Sequence, residues 1–363
     1  MSISEVKLYR LSIPLEQKFS TSLHTVKSAD NAVVKISNDE GFDGYGEAAP
    51  NDVVTGDTLS SIKGFIDENL KSKLLGKDIN NLSYLCEIIR ESGKGNFAAR
   101  AAVEIALYDL FARKHDLPVY QLLGGKQDSI KTDITVSVSS PENMKEEAKM
   151  FVEKGFDILK LKVGSGIKED LARVREISRA VNNGAKLRLD ANQGWKPKQA
   201  VKIIRELQNE SINIELIEQP VSANDIEGLK YVKNNVLTPI MADESLFSPE
   251  DAIRLVREDA CDQFNIKLMK TGGISAAQKI CNIAEAANIE CMLGCMLESK
   301  VSISAAAHLA AASGNITRLD LDAPLLMAED PVKGGIEYEM DKIKFSNHSG
   351  LGISSIKGLT KMS

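Results

Sequence analysis

Lys162, Asp190, Glu218, Asp243 and Lys267 recur through the second half of this 363-residue chain at nearly constant intervals. The steps are 28, 28, 25 and 24 residues; Cys295 follows after another 28 and Asp320 after 25 more. Three carboxylates in succession repel one another unless a cation lies among them, and oxygen ligands that leave room for water suit magnesium. Taken one at a time, each acid reads equally as a surface group at the start of a loop. The lysines on either side can act as bases. Two bases flanking one carbon can remove a proton from one face and return one to the other, which inverts a stereocentre. A dication among the acids would hold a substrate carboxylate and stabilise the enediolate left when the α-proton departs. One extra negative charge about 4 Å from a dication gains about 8 kcal/mol at an effective dielectric of about 20. If half of that is absent from the ground state, it supplies roughly three decades of rate.

Such groups converge only if the backbone brings them together. Strand-like runs occupy Thr132–Val138, Ile158–Val163, Leu187–Asp190, Ile214–Glu218, Pro239–Asp243, Gln263–Lys267, Glu290–Gly294 and Arg318–Asp320. Amphipathic segments such as Glu169–Val181 and Pro249–Arg257 separate them. Eight short strands, each followed by a crossover, predict a parallel βα barrel, and the polar residues then sit at its C-terminal, active face. Strand parity agrees: Lys160 and Lys162 share one face, with Leu159 and Leu161 on the other. Before residue 120 the order differs. Strand-like stretches at Val6–Leu11, Asn31–Ile36 and Gly44–Ala48 precede a helical region, best defined over Phe97–Lys114, so the first part reads as an α+β unit. Gly124-Gly125 and Gly272-Gly273 read as turns, and the sole tryptophan, Trp195, as packing against the barrel rim.

The composition narrows the class. The chain is 43% hydrophobic and 26% charged, which excludes wholesale disorder. A net charge of −6 argues against nucleic acid as a partner, and no apolar run is long enough to span a membrane. The N-terminal residues have neither a basic flank nor an apolar core, so no signal peptide is expected. Five cysteines without a CxxC pair point to reduced thiols and a cytoplasmic location. Four scattered histidines make a His-rich zinc site unexpected, leaving carboxylates as the metal ligands.

The local motifs are specific. Lys160-Leu161-Lys162, Asp190-Ala191-Asn192-Gln193-Gly194-Trp195, Glu218-Gln219-Pro220, Ala242-Asp243-Glu244-Ser245 and Asn265-Ile266-Lys267-Leu268-Met269-Lys270 resemble the enolase superfamily, muconate-lactonizing subgroup. The resemblance spans nearly the whole chain. It implies an α+β capping domain at residues 1–122, with specificity loops near 19–25 and 52–57. A modified (β/α)7β TIM-type barrel would follow at 123–325, and a C-terminal segment at 326–363 would return to the cap. It makes Lys162 the base for the (R) substrate and Lys267 for the (S), with one Mg2+ per subunit on Asp190, Glu218 and Asp243. This superfamily is known for a Lys base working beside magnesium.

Arg318-Leu319-Asp320-Leu321-Asp322-Ala323-Pro324 resembles the Asp-x-Asp motif of dipeptide epimerases. It implies that Asp320 and Asp322 grip the ammonium of a dipeptide, although the pair could instead cap a following turn. Thr135, Lys160, Cys295 and Leu297 match substrate-contact positions, with Lys160 expected to hold the substrate carboxylate. Cys295 reads equally as a small packing residue. The branch most resembled is the L-Ala-D/L-Glu epimerases of peptidoglycan-peptide recycling, which carry a loop arginine where this chain has His24. A mostly neutral histidine cannot fork onto a carboxylate as arginine does. His24 could contact the substrate or be an exposed bystander. The expectation is therefore a magnesium-dependent dipeptide epimerase that inverts the α-carbon of the C-terminal residue, with L-Ala-D/L-Glu as the expected substrate; the alternatives are an epimerase for other dipeptides, including hydrophobic-ended ones, or a cycloisomerase or o-succinylbenzoate-synthase-like lyase on the same site. A homo-oligomer is also compatible with the resemblance.

Overall fold

The computed structural model describes residues 2–20, 25–126, 129–182 and 184–362. His24, expected in a specificity loop, lies outside the described residues.

Eight parallel strands form the barrel, hydrogen-bonded in chain order: Ile134–Val136, Ile158–Lys162, Lys186–Asp190, Ile214–Glu218, Ile240–Ala242, Gln263–Ile266, Glu290–Gly294 and Ile316–Asp320. The Asp133 N–H reaches the Leu319 carbonyl at 3.3 Å and links the first strand to the eighth. Side chains alternate as strand geometry requires, so Leu159, Leu161, Leu187 and Leu189 pack outward while their neighbours fill the interior. Leu216, Met241 and Met292 form a small apolar plug inside the barrel. At the same depth the Arg188 guanidinium is paired with Asp133 at 2.8 Å and Glu215 at 2.7 Å.

The helices begin where the sequence supplies caps. Ser140 and Ser248 accept the N–H of the third residues of Pro141–Glu153 and Pro249–Glu258, and proline occupies the first position of each helix. The first barrel strand is shorter than the expected Thr132–Val138 because its ends bond elsewhere. The Thr132 N–H donates to the Asp341 carbonyl at 2.8 Å, and the Val138 N–H to the Ser20 carbonyl at 3.0 Å.

The cap is a four-stranded antiparallel sheet. Ile3–Ser20 lies between Thr25–Asn38 and the terminal pair Thr360–Lys361, and Asp43–Ala48 completes the other edge. Helix Phe97–Lys114 has the expected span but not the expected single apolar face. It is buried nearly all round, between the cap sheet and the barrel. Gly44 and Gly46 let it approach: a Cβ at Gly46 would lie 1.9 Å from the Ala102 carbonyl oxygen.

Two buried carboxylates of the cap serve the N-termini of barrel helices. Glu47 accepts the Ser299 and Ser302 N–H groups at 2.9 and 3.1 Å, at the start of Lys300–Ala310. Glu104 accepts the Ser275 N–H at 2.6 Å and its hydroxyl at 2.8 Å, at the start of Ile274–Ala286. Unpaired helix N–H groups and the helix dipole both favour an anion there.

Gly46→Ala should force the cap sheet off its helix and cost about 3 kcal/mol, read by chemical denaturation. A second expectation concerns acid. His308 is buried, its Nδ1 accepts the Tyr120 N–H at 3.0 Å, and burial pushes its pKa down to about 3. A pKa depressed on folding means stability that is complete above the unfolded value of about 6.5 and is lost as pH falls toward 3, by about 1.4 kcal/mol per pH unit. His308→Asn should therefore lose about 2 kcal/mol less than the parent between pH 7 and pH 5. Equal losses in urea melts at the two pH values would refute this.

Candidate active site

The barrel register brings the expected residues to one end. Lys162 pairs with Asp190, and Asp190 with Glu218, across adjacent strands; Asp243 follows the fifth strand and Lys267 the sixth. Carboxylate oxygens of Asp190, Glu218 and Asp243 lie within 4.8 Å of one another, and all three residues are buried. Lys162 Nζ sits 2.6 Å from Asp190, and Lys267 Nζ 2.8 Å from Asp243 and 4.0 Å from Glu218. The two lysines thus approach the acid cluster from strands four apart in the ring.

Lys160 sits between the two halves of the site. Its Nζ is 3.2 Å from Asp190, 2.8 Å from Glu218 and 2.7 Å from Asp320. Its charge is thus shared by three acids. Lys270, quoted above only as part of a motif, is fully buried and bonds both the Asp243 carboxylate and its carbonyl. Gly294 leaves the room these side chains need: a Cβ there would lie 2.6 Å from Asn265 Oδ1 and 3.1 Å from Lys267 Cε.

Burial and charge pull the acids apart. Burial acts to raise Asp190, but Lys162, Lys160 and Lys267 override it and hold the carboxyl at about 2. Asp243 is likewise held well below the usual range by Lys267, Lys270 and Lys160, against its burial. Glu218 goes the other way, to about 7, through burial and repulsion by Asp190. Glu244 rises to about 8 through burial and repulsion by Asp243 and Asp190. Burial opposes the charge on Lys267, yet Asp243 keeps its pKa above the ordinary lysine value. A lysine that acts as a base needs its pKa brought down instead, which requires the carboxylates to be neutralised by a metal, whereas here they face the lysine directly.

The donor set fits a hard dication. Besides the three converging carboxylates, Glu244 Oε2 and Asn192 Oδ1 are buried acceptors with no hydrogen-bond donor. All-oxygen sites of this kind hold magnesium or calcium rather than zinc.

A second acid cluster lies beside the first. Asp320 and Asp322 are joined by Asp133, with carboxylate oxygens within 4.8 Å of one another. Asp322 accepts the Thr135 N–H at 2.6 Å, which ties the first strand to the segment after the eighth. Burial and repulsion by Asp320 raise Asp322 to about 6. Asp133 was not singled out in the sequence, although it shares inward parity with Thr135 and could have been found that way.

A cavity of about 160 Å3 opens over both clusters. Thr135, Lys160, Lys162, Lys267, Asp320 and Asp322 line its floor, and Cys295 and Leu297 its side. The cap contributes Phe19, Val26, Asn51, Asp52 and Val54. Asn51 organises its own turn, accepting the Val54 N–H at 3.0 Å. Trp195 is buried away from the cavity lining, its Nε1 donating to Asp170 at 2.9 Å. No described helix is long and apolar enough to cross a membrane.

Comparison with known proteins agrees with this geometry. Residues 3–124 match the mandelate racemase / muconate lactonizing enzyme N-terminal domain, and residues 143–356 the enolase C-terminal domain-like family. An L-Ala-D/L-Glu epimerase of Clostridium acetobutylicum is 48% identical over 98% of this chain and 99% of its own length. A substrate-liganded complex of the L-Ala-D/L-Glu epimerase from Bacillus subtilis superposes with a TM-score of 0.97 at 47% identity, covering 98% of this chain and 99% of that one. The dipeptide epimerase from Enterococcus faecalis V583, complexed with Mg and the dipeptide L-Leu-L-Tyr, superposes with a TM-score of 0.94 at 46% identity, covering 98% and 100%. With both of its domains matched and such relatives spanning nearly its full length, this chain belongs to the mandelate racemase/muconate lactonizing enzyme family of the enolase superfamily.

Proposed function

We propose that this protein is a magnesium-dependent dipeptide epimerase that inverts the α-carbon of the C-terminal residue by two-base 1,1-proton transfer. The observation that carries this reading is the placing of Lys162 and Lys267 on opposite sides of one buried carboxylate cluster, under one cavity. The relatives named above act on dipeptides, and one of those structures holds Mg.

Asp190, Glu218 and Asp243 would hold the ion. When bound, it would polarise the substrate carboxylate and so acidify the α-proton. Asp320 and Asp322 would bind the dipeptide ammonium, a group that two adjacent buried carboxylates can neutralise. Lys160, between the two clusters, would balance their charge and orient the substrate's carboxylate end. With both ends of the dipeptide fixed, the α-carbon lies between the lysine amines. One lysine, as the free amine, takes the proton while the other, as ammonium, donates from the opposite face. A cycloisomerase or o-succinylbenzoate-synthase-like lyase would leave the second acid cluster without an ammonium to bind.

Lys162→Ala and Lys267→Ala should each lower epimerisation about a thousandfold, the scale of a general acid–base group. The assay is deuterium wash-in at the α-carbon of dipeptides in D2O, followed by NMR. Full epimerisation by Lys267→Ala would end the two-base scheme. For the metal, EDTA-treated protein should lose turnover and regain it with Mg2+. Glu218→Gln should weaken Mg2+ binding by calorimetry by more than ~10-fold, and unchanged affinity would remove Glu218 from the ligand set.

A further inference from the structure

The floor of the cavity is committed to the dipeptide's own charges, so the side chain on the epimerised carbon has to point toward the cap. This step rests on the reading just proposed. On that side Phe19 and Val26 are cross-strand partners in the cap hairpin. They pack, with Leu297, against a small apolar core of Leu11, Ile13, Leu15, Ala29, Val33 and Met327. Leu297 is fixed in place because its carbonyl accepts the Asn31 Nδ2 at 2.9 Å, and Asn31 is in turn bonded to the buried Glu47 at 2.7 Å. Val54, Met296 and Leu326 extend the apolar lining.

The charges on this side are of the wrong sign for an acidic residue. Asp30 and Asp52 line the cavity, whereas Lys160, Lys162 and Lys267 are the described cations that do so, all of them on the floor. Arg10 is a nearby guanidinium already engaged, 2.6 Å from Asp30. Asp30 also accepts the Ser28 hydroxyl at 2.8 Å, so its carboxylate is satisfied and offers little to a cationic side chain. A glutamate carboxylate placed here would lose water to an apolar wall with no described cation free to meet it, and Asp52, exposed to solvent, offers a cationic side chain only a screened partner.

We infer that the epimerised residue carries an uncharged, apolar side chain, and that Phe19, Val26 and Leu297 form the wall that selects it. The test compares kcat/KM for deuterium incorporation with L-Ala-L-Leu, L-Ala-L-Phe, L-Ala-L-Glu and L-Ala-L-Lys. The apolar-ended dipeptides should lead both charged ones by at least tenfold. Equal or better turnover of L-Ala-L-Glu or L-Ala-L-Lys overturns this inference while leaving dipeptide epimerisation intact; exchange with none of the four removes the proposed function and this inference together. Leu297→Arg, or Val26→Arg should the first fail to fold, should shift the Leu-to-Glu ratio at least tenfold toward glutamate. An unshifted ratio in a folded variant that retains activity would show that the wall does not select.

Discussion

Everything at the barrel mouth depends on one balance of charge. Asp190, Glu218, Asp243 and Asp320 are buried there, and so are Lys160, Lys162, Lys267 and Lys270. Moving an isolated charge out of water costs several kcal/mol even after relaxation, and removing one partner of a buried pair costs about as much. The acids are therefore tolerable only with the lysines, and the lysines only with the acids. The same balance sorts the acids by protonation. Asp190 and Asp243, next to lysines, stay ionised, while burial and like-charge repulsion lift Glu218 and Glu244 to about 7 and 8. The raised carboxyls record repulsion among these acids, which a bound dication would relieve.

Such a balance requires accurate placement, which parallel strands supply. Each βα unit returns the chain to the same end of the barrel, and six of the eight strands end on or directly before a charged side chain, placed against its neighbours by the register of the ladder. The cap closes the volume from above. It is held by two carboxylates that act on helix N-termini, Glu47 toward Lys300–Ala310 and Glu104 toward Ile274–Ala286. Burial raises both of these carboxyls, Glu104 to about 7, against the hydrogen bonds that stabilise their ionised forms. Docking the cap and shaping the cavity are therefore coupled: the Glu47 that caps a barrel helix also holds Asn31, and Asn31 holds Leu297 at the cavity wall.

Much of this was legible in the sequence because it is periodic. The interval between charged residues matches one βα unit, so strand number, direction and the active end follow from spacing. Helix Phe97–Lys114 was legible from its apolar content, and its ends coincide with those observed. Its all-round burial was not, because amphipathic reasoning expects one wet face. The polar residues it buries, Arg100, Glu104 and Asp109, are explained only by contacts far along the chain. Asp109, for instance, accepts the Tyr45 and Leu351 N–H groups at 2.8 and 2.7 Å. Asp133 escaped notice for a similar reason. Its role depends on Arg188 and Asp320, 55 and 187 residues away, and no local pattern records that. The spread of Lys160 over three acids was equally hidden, since spacing places a side chain at the mouth without saying which neighbours it meets.

The division of labour between floor and wall has a consequence for how such a site can change. The floor is over-determined: altering any one acid or lysine leaves another buried charge unmatched. The wall is not. Phe19, Val26 and Leu297 would meet a ligand through apolar contact alone, and each lies on a cap strand or a barrel loop rather than in the charged network. An apolar contact can be exchanged for another of similar size at a cost of about 1.5 kcal/mol or less. A new charge on the wall would likewise sit beside solvent at the cavity mouth rather than inside the lysine–carboxylate cluster. Selection among side chains can therefore drift while proton transfer at the α-carbon stays fixed.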